Sequence, residues 1–313
     1  MTRYRNALPQ MTGGVFLTDG GLETTLVFHE GIELPCFASF PLITDELGRL
    51  KLRKYFRPYL ELARLRKVGF ILDTPTWRAS FDWGTKLGFS RDKLIEANRQ
   101  SVEFLGELRE EYEGQVSPLI INGVIGPRGD GYKVESRMST DEAQRFHMLQ
   151  MDVFAASEAD MVSAVTMNYV DEALGIVRAA QARKMPVVVS FTVETDGRLP
   201  SGEGLREAIE TVDRVSGAYP LYYMVNCAHP EHFDDVLSGG AWLDRIWGLR
   251  ANSSTKSHAE LDAATEIDIG DPEDLGARYN ALRAKLPNLV ILGGCCGTDH
   301  RHLTAISDAC MVA

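Results

Sequence analysis

The sequence predicts a single-domain (β/α)8 barrel. Eight short apolar runs alternate strictly with eight helical stretches along 313 residues, the count and length such a barrel needs. Most of the runs are continuously apolar, as parallel strands buried on both faces are. The main rival, a doubly wound open sheet, lacks its Gly-x-Gly-x-x-Gly fingerprint after the first run. No linker or low-complexity segment interrupts the chain, so 1–313 reads as one domain.

The first strand is Val15 to Asp19, running into Gly20-Gly21. Leu22 to Thr44 reads as irregular, and Asp45 to Lys67 as helix with a kink or break at Pro58. A second strand, Gly69 to Asp73, leads into Thr74-Pro75-Thr76-Trp77, followed by a helix over Arg91–Glu111 capped by Ser90. The remaining pairs are strand 118–125 with helix 140–157, strand 160–166 with helix 171–183, strand 186–193 with helix 205–216, and strand 222–227 with a short helix over 230–237. Strand 246–252 precedes helix 272–285, which opens on Pro272. Strand 289–292 and helix 300–310 close the chain.

Net charge is −11, which argues against a nucleic-acid partner and, more weakly, against anionic membranes. No run is long enough to span a bilayer and no signal peptide is evident. Five cysteines are too few for a disulfide framework in a chain of this length and suit a reducing cytoplasm.

Barrel active sites sit at the C-terminal ends of the strands. Asp19, Trp77, Gly126, Thr166, Thr192, Cys227, Asn252, Cys295 and Cys296 all fall there. Gly293-Gly294-Cys295-Cys296-Gly297 places two adjacent thiols where glycines free the backbone to turn both toward one point. With Cys227 from strand six they make a three-thiolate set suited to Zn2+ with one position open. The competing reading is a pair of buried structural thiols, or a vicinal Cys295–Cys296 disulfide. Cys36 and Cys310 read as bystanders. His229, His232, His300 and His302 read as helix-start or surface residues.

The chain resembles the zinc-dependent homocysteine S-methyltransferases. Gly293-Gly294-Cys295-Cys296-Gly297-Thr298 with His302-Leu303 is similar to the family's Gly-Gly-Cys-Cys motif, and Asn226-Cys227 to the segment bearing its first zinc ligand. Asp19-Gly20-Gly21-Leu22-Glu23-Thr24-Thr25-Leu26, Thr74-Pro75-Thr76-Trp77-Arg78-Ala79-Ser80, Ile125-Gly126-Pro127 and Ser190-Phe191-Thr192 resemble further family motifs, so the likeness covers nearly the whole chain. Four positions depart. Val165-Thr166 stands for Glu-Thr, Trp77 for a tyrosine, Met224 for a glycine, and Ala251-Asn252-Ser253-Ser254 for Pro-Asn-Ser-Gly.

The resemblance implies that Cys227, Cys295 and Cys296 hold Zn2+ and that a zinc-bound thiol, homocysteine by family, takes a methyl group from a sulfonium or quaternary ammonium donor. Asp19, Gly20, Gly21, Glu23, Trp77, Thr166 and Asn226 form the expected substrate-binding set, with Glu23 in the role of the lost strand-four carboxylate. Trp77, Trp83, Phe81 and Tyr169 are candidate contacts for a cationic donor. The alternatives are a non-catalytic zinc- and thiol-binding barrel, a different acceptor thiol, or a corrinoid protein as methyl source. A homo-oligomer is open by analogy with other barrel enzymes.

Overall fold

In the computed structural model, which describes residues 2–116 and 118–311, eight parallel strands pair in chain order and close on themselves. They are β1 (Phe16–Leu17), β2 (Gly69–Asp73), β3 (Leu119–Ile125), β4 (Met161–Met167), β5 (Val187–Phe191), β6 (Tyr223–Asn226), β7 (Ile246–Ala251) and β8 (Ile291–Gly294). Closure runs through Phe16 opposite Ile291 and Leu17 opposite Leu292. Every residue of β2 through β6 is buried, which explains runs that are apolar throughout.

Two apolar cores result. Phe16, Ile71, Ile120, Met161, Val188 and Ile291 fill the barrel interior. A larger cluster lies between barrel and helices, with Phe56, Phe104, Phe154 and Tyr279 among its members. The N-terminal segment closes the bottom. Leu8 packs into the interior cluster, the backbone N–H groups of Arg3 and Tyr4 donate to Asp160 Oδ1 at 3.1 and 2.9 Å, and Arg5 donates to the carbonyl of Ala159. The barrel interior is left accessible at its C-terminal mouth.

The helices start where capping chemistry places them. Ser90 accepts from Lys93 N–H, and Ser139 forms a reciprocal capping box with Glu142 ahead of helix Thr140–Ala155. Pro272 occupies the first turn behind Asp271, which accepts from the N–H groups of Glu273 and Asp274. The expected break at Pro58 does not occur, and one helix runs unbroken from Glu46 to Arg66. Leu52, Phe56, Tyr59, Leu60 and Ala63, on both sides of the proline, pack into the core. The segment read as irregular contains a one-turn helix, Leu22–Thr24, and a wider turn over Thr25–His29. Short helices Phe81–Lys86 and His258–Asp262 lie in loops above the mouth. Among the described residues no helix is long and apolar enough to cross a membrane.

Candidate active site at the C-terminal mouth of the barrel

Cys227 follows the last residue of β6, and Cys295 and Cys296 follow β8. Their three sulfur atoms all lie within 4.8 Å of one another. The backbone is shaped to bring them there. Cys227 holds a left-handed φ of 54°, uncommon outside glycine. Its N–H donates to Arg250 O at 3.0 Å, and its carbonyl accepts from Asn252 Nδ2 at 3.1 Å and lies 2.6 Å from His258 Nε2. Cys295 N–H donates to Ala251 O at 2.8 Å. Gly297, with φ +79°, turns the chain back after Cys296. Gly21 allows the first loop against this turn, since a Cβ there would stand 2.5 Å from Cys295 O.

Cys227 and Cys295 are joined as a disulfide, and Cys296 is free. The expectation of three separate thiolates and the alternative of a Cys295–Cys296 bond both differ from this arrangement. The sulfurs of Cys227 and Cys295 lie close enough to be joined covalently, with Cys296 beside them. Burial pushes the Cys296 thiol up to about 11, so this soft sulfur is protonated at neutral pH unless a cation comes near. Once the disulfide is reduced, the donor set, three clustered sulfurs from two strand ends, fits Zn2+.

Above the sulfurs lies a cavity of about 90 Å³. Asp19, Gly20, Gly21, Glu23, Trp77, Thr166, Asn226, Cys227, Cys295 and Cys296 all line it. The ten residues singled out from sequence therefore share one space.

The homocysteine S-methyltransferase family profile matches residues 16–310. The chain belongs to the homocysteine S-methyltransferase family. Homocysteine S-methyltransferase 1 of Arabidopsis thaliana is 24% identical, over 94% of this chain and 93% of its own length. Betaine–homocysteine S-methyltransferase 1 of Danio rerio is 25% identical, over 78% and 62% respectively. The fold is that of the homocysteine methyltransferase MmuM from Escherichia coli. Its oxidized form gives a TM-score of 0.71 at 19% identity over 98% of this chain and 99% of that one, and its metallated form 0.68 at 18% identity over 97% and 99%.

In this homocysteine S-methyltransferase family member several polar side chains at the mouth are already committed to protein partners. Asn226 accepts from Thr166 N–H at 2.9 Å and Ser190 Oγ at 2.6 Å, and donates to Thr166 Oγ1 at 2.9 Å. That exchange holds Thr166 at φ 59°, a strained conformation for a β-branched residue. Asp19 accepts from Arg250 at 2.5 Å and from Tyr55 OH at 2.9 Å. Glu23 accepts from Ser39 Oγ at 2.7 Å, and burial raises its carboxyl above the ordinary range. Val165 lines the same wall and is 8% exposed.

Three participants escaped the sequence reading. Arg250 on β7 bridges Asp19 and Asp73 and donates to Gly294 O at 3.2 Å. A charge inside the run Ile246-Trp247-Gly248-Leu249-Arg250-Ala251 was the available signal. Asp73 ends an apolar run in the same way. Tyr132, from the loop after β3, places its hydroxyl 3.7 Å from Cys296 Sγ and lays its ring 4.2 Å from that of His258. Nothing local in the sequence marks it, because that contact spans 164 residues.

The expected aromatic contacts divide. Trp77 reaches the cavity, but Arg78 covers one face of its ring at 4.6 Å. Trp83 is covered by Arg78 and Lys86, Phe81 is 47% exposed, and Tyr169 packs toward Met138 and Arg137. None of these last three lines the cavity. Cys36 is exposed and Cys310 buried, both unpaired and outside the sulfur cluster. The four histidines stand at helix starts, as expected, His229 as the cap of helix Pro230–Phe233 that contains His232, and His300 and His302 in the first turn of helix His300–Met311; only His300 is at the surface. His229, His232 and His302 are buried, because their ring nitrogens serve the backbone of neighbouring loops, as His232 does at Thr255 O and His302 at Ile269 O.

His229 caps helix Pro230–Phe233 two residues beyond Cys227, and burial pushes its imidazole down to about 4. The unfolded chain therefore takes up this proton first as pH falls. Its contribution to stability is complete above the unfolded value of about 6.5 and is lost as pH falls toward 4. The limit is roughly 3 kcal/mol, at about 1.4 kcal/mol per unit. His229→Asn retains a capping side chain. Urea unfolding from pH 7 to pH 4 should show the wild type losing about that much more stability than the variant, and parallel losses would contradict it.

Proposed function

We propose that the protein transfers a methyl group from a sulfonium or quaternary ammonium donor to the sulfur of homocysteine, giving methionine, with Cys227, Cys295 and Cys296 in reduced form as the ligands of Zn2+. The convergence of their three sulfur atoms within 4.8 Å at the foot of a cavity in the barrel mouth carries this reading. A zinc ion bound there would keep a thiol deprotonated yet nucleophilic at neutral pH.

The protein's own residues supply position. The acceptor thiol gives its proton to solvent. A sulfur electron pair then forms the new carbon–sulfur bond, while the donor's bond to the same methyl carbon breaks. Its electrons stay on the leaving sulfur or nitrogen, which departs as a neutral thioether or amine. The barrel mouth holds both reactants in line, which converts an encounter in solution into a reaction between neighbours. Asp19 and Asn226 act through their partners, Asp19 by fixing Arg250 and Asn226 by fixing Thr166. Glu23 is the carboxylate left to receive the acceptor's ammonium group, opposite the apolar Val165. Reduced thiols suit a reducing compartment such as the cytoplasm.

Glu23→Gln should raise the KM for homocysteine about ten- to hundredfold, the cost of one charge-assisted hydrogen bond, and leave the donor KM unchanged. An unchanged homocysteine KM would remove Glu23 from the site. The function itself is tested by incubating reduced, zinc-loaded protein with homocysteine and, in turn, S-methylmethionine, S-adenosylmethionine and betaine. Methionine detected by mass spectrometry is the expected result. Methylation of another thiol but not of homocysteine would make Val165 the mark of a changed acceptor. Absence of any methylated thiol would contradict the proposal.

A further inference from the structure

A second cavity reaches Cys296 from the outer side. It measures about 360 Å³, and Thr24, Phe37, Trp77, Tyr132 and Cys296 belong to the walls of both spaces. Arg78 lines only the outer one. Its guanidinium carbon lies 4.6 Å from the Trp77 ring and 4.2 Å from the Trp83 ring, so the two indoles flank it. One terminal nitrogen donates to Cys36 O, and Nε is buried with no hydrogen-bond partner. Among the described residues Arg78 is in no ion pair with a carboxylate, although the chain carries 44 Asp and Glu against 33 Lys and Arg. A desolvated donor left unsatisfied is costly. A guanidinium held flat by aromatic neighbours has little freedom left to lose when it binds an anion through two parallel bonds.

We propose that Arg78 is the receptor for an anionic group on the methyl donor: the donor is a zwitterion whose carboxylate pairs with Arg78 in the outer cavity while its methyl-bearing cation lies toward Tyr132 and Cys296. The inference rests on the methyl-transfer reading and adds the donor's second charge and the residue that reads it. Arg78 covers one face of Trp77, so the other rings open to the cation are Phe28, Phe37 and Tyr132. Asp130, Asp262, Glu266 and Asp268, also in the wall, add negative potential that favours a cation. The arrangement separates the substrates, with the acceptor in the smaller inner space beside Glu23 and the donor in the larger outer one, and Cys296 between them.

S-Methyl-L-methionine and its methyl ester test this, because both carry the sulfonium and only the first carries a carboxylate. Binding to reduced, zinc-loaded protein is read by calorimetry and by the fluorescence of the indoles beside Arg78. The acid should bind wild type at least tenfold more tightly than the ester. Arg78→Gln should weaken the acid about ten- to hundredfold, leave the ester and homocysteine unchanged, and so abolish the preference, while Arg78→Lys restores part of it. Equal binding of acid and ester to wild type, a preference that survives in Arg78→Gln, binding of neither probe, or a loss confined to homocysteine would each overturn the proposal. Methionine formation in the same preparations separates the two readings. Transfer that continues without acid–ester discrimination would remove the role of Arg78 and leave the methyltransferase standing. Discrimination without transfer would do the reverse.

Discussion

Cys296→Ser should lose its zinc and, with it, methyl transfer. Cys227, Cys295 and Cys296 are the only group of three metal-ligating side chains among the described residues whose donor atoms lie within 4.8 Å of one another, so no neighbouring side chain replaces a lost ligand. Serine offers a hard, protonated oxygen in place of a soft thiolate. Structural zinc sites with four ligands are worth roughly 10–16 kcal/mol in all, so one thiolate accounts for about 3 kcal/mol, or more than a hundredfold in affinity. Wild type should carry about one zinc per chain after reduction and keep it against a chelator that strips the variant. Methionine formation should fall by at least about a thousandfold, since it needs both the metal and its geometry. A variant that retains zinc, or a wild type that never takes it up, would contradict the assignment.

Arg250→Met should be the most destabilising single change at the mouth. Arg250 is shared by two buried carboxylates, Asp19 at 2.5 Å and Asp73. Their side chains are 4% and 8% exposed. Removing one partner of a buried ion pair costs about 3–5 kcal/mol, because it strands the charge that remains. Here two are stranded, one of them on the loop that carries Gly20 and Gly21 against the cysteine turn. A fall in Tm on the order of 10 °C is expected. The deficit should shrink as the pH is lowered, because burial raises the Asp19 carboxyl above its usual range and, once protonated, it no longer needs the guanidinium. Arg250→Lys should recover only part, since one ammonium does not replace a fork that reaches both acids. A Tm within about 2 °C of wild type would show the trio to be dispensable.

The barrel and the cysteine site were legible in the chain because both are written in local pattern. Continuous apolar runs such as Leu119–Ile125 and the glycines around Cys295 and Cys296 announce a buried strand and an unusual turn without knowledge of the rest. What was illegible depends on contacts between distant segments. Arg250 joins Asp19 across 231 positions, and Tyr132 reaches Cys296 across 164. The same holds for Trp77. Its place at a strand end could be read, but the covering of its ring by Arg78 could not, because a helix boundary near Phe81 decides where Trp83 stands. Asn226 was placed in the substrate-binding set by its resemblance to the family's Asn-Cys motif. Its amide bonds Thr166 and Ser190, partners that appear only once β4, β5 and β6 are side by side.

The central claim is that three sulfurs at the barrel mouth hold zinc and that homocysteine joins them. Zinc K-edge X-ray absorption on the reduced, zinc-loaded protein, with and without homocysteine, tests it most directly. Three sulfur neighbours at about 2.3 Å, rising to four when homocysteine is added, is the predicted result. A sulfur count that does not change on adding homocysteine, or zinc bound through nitrogen and oxygen, would contradict it.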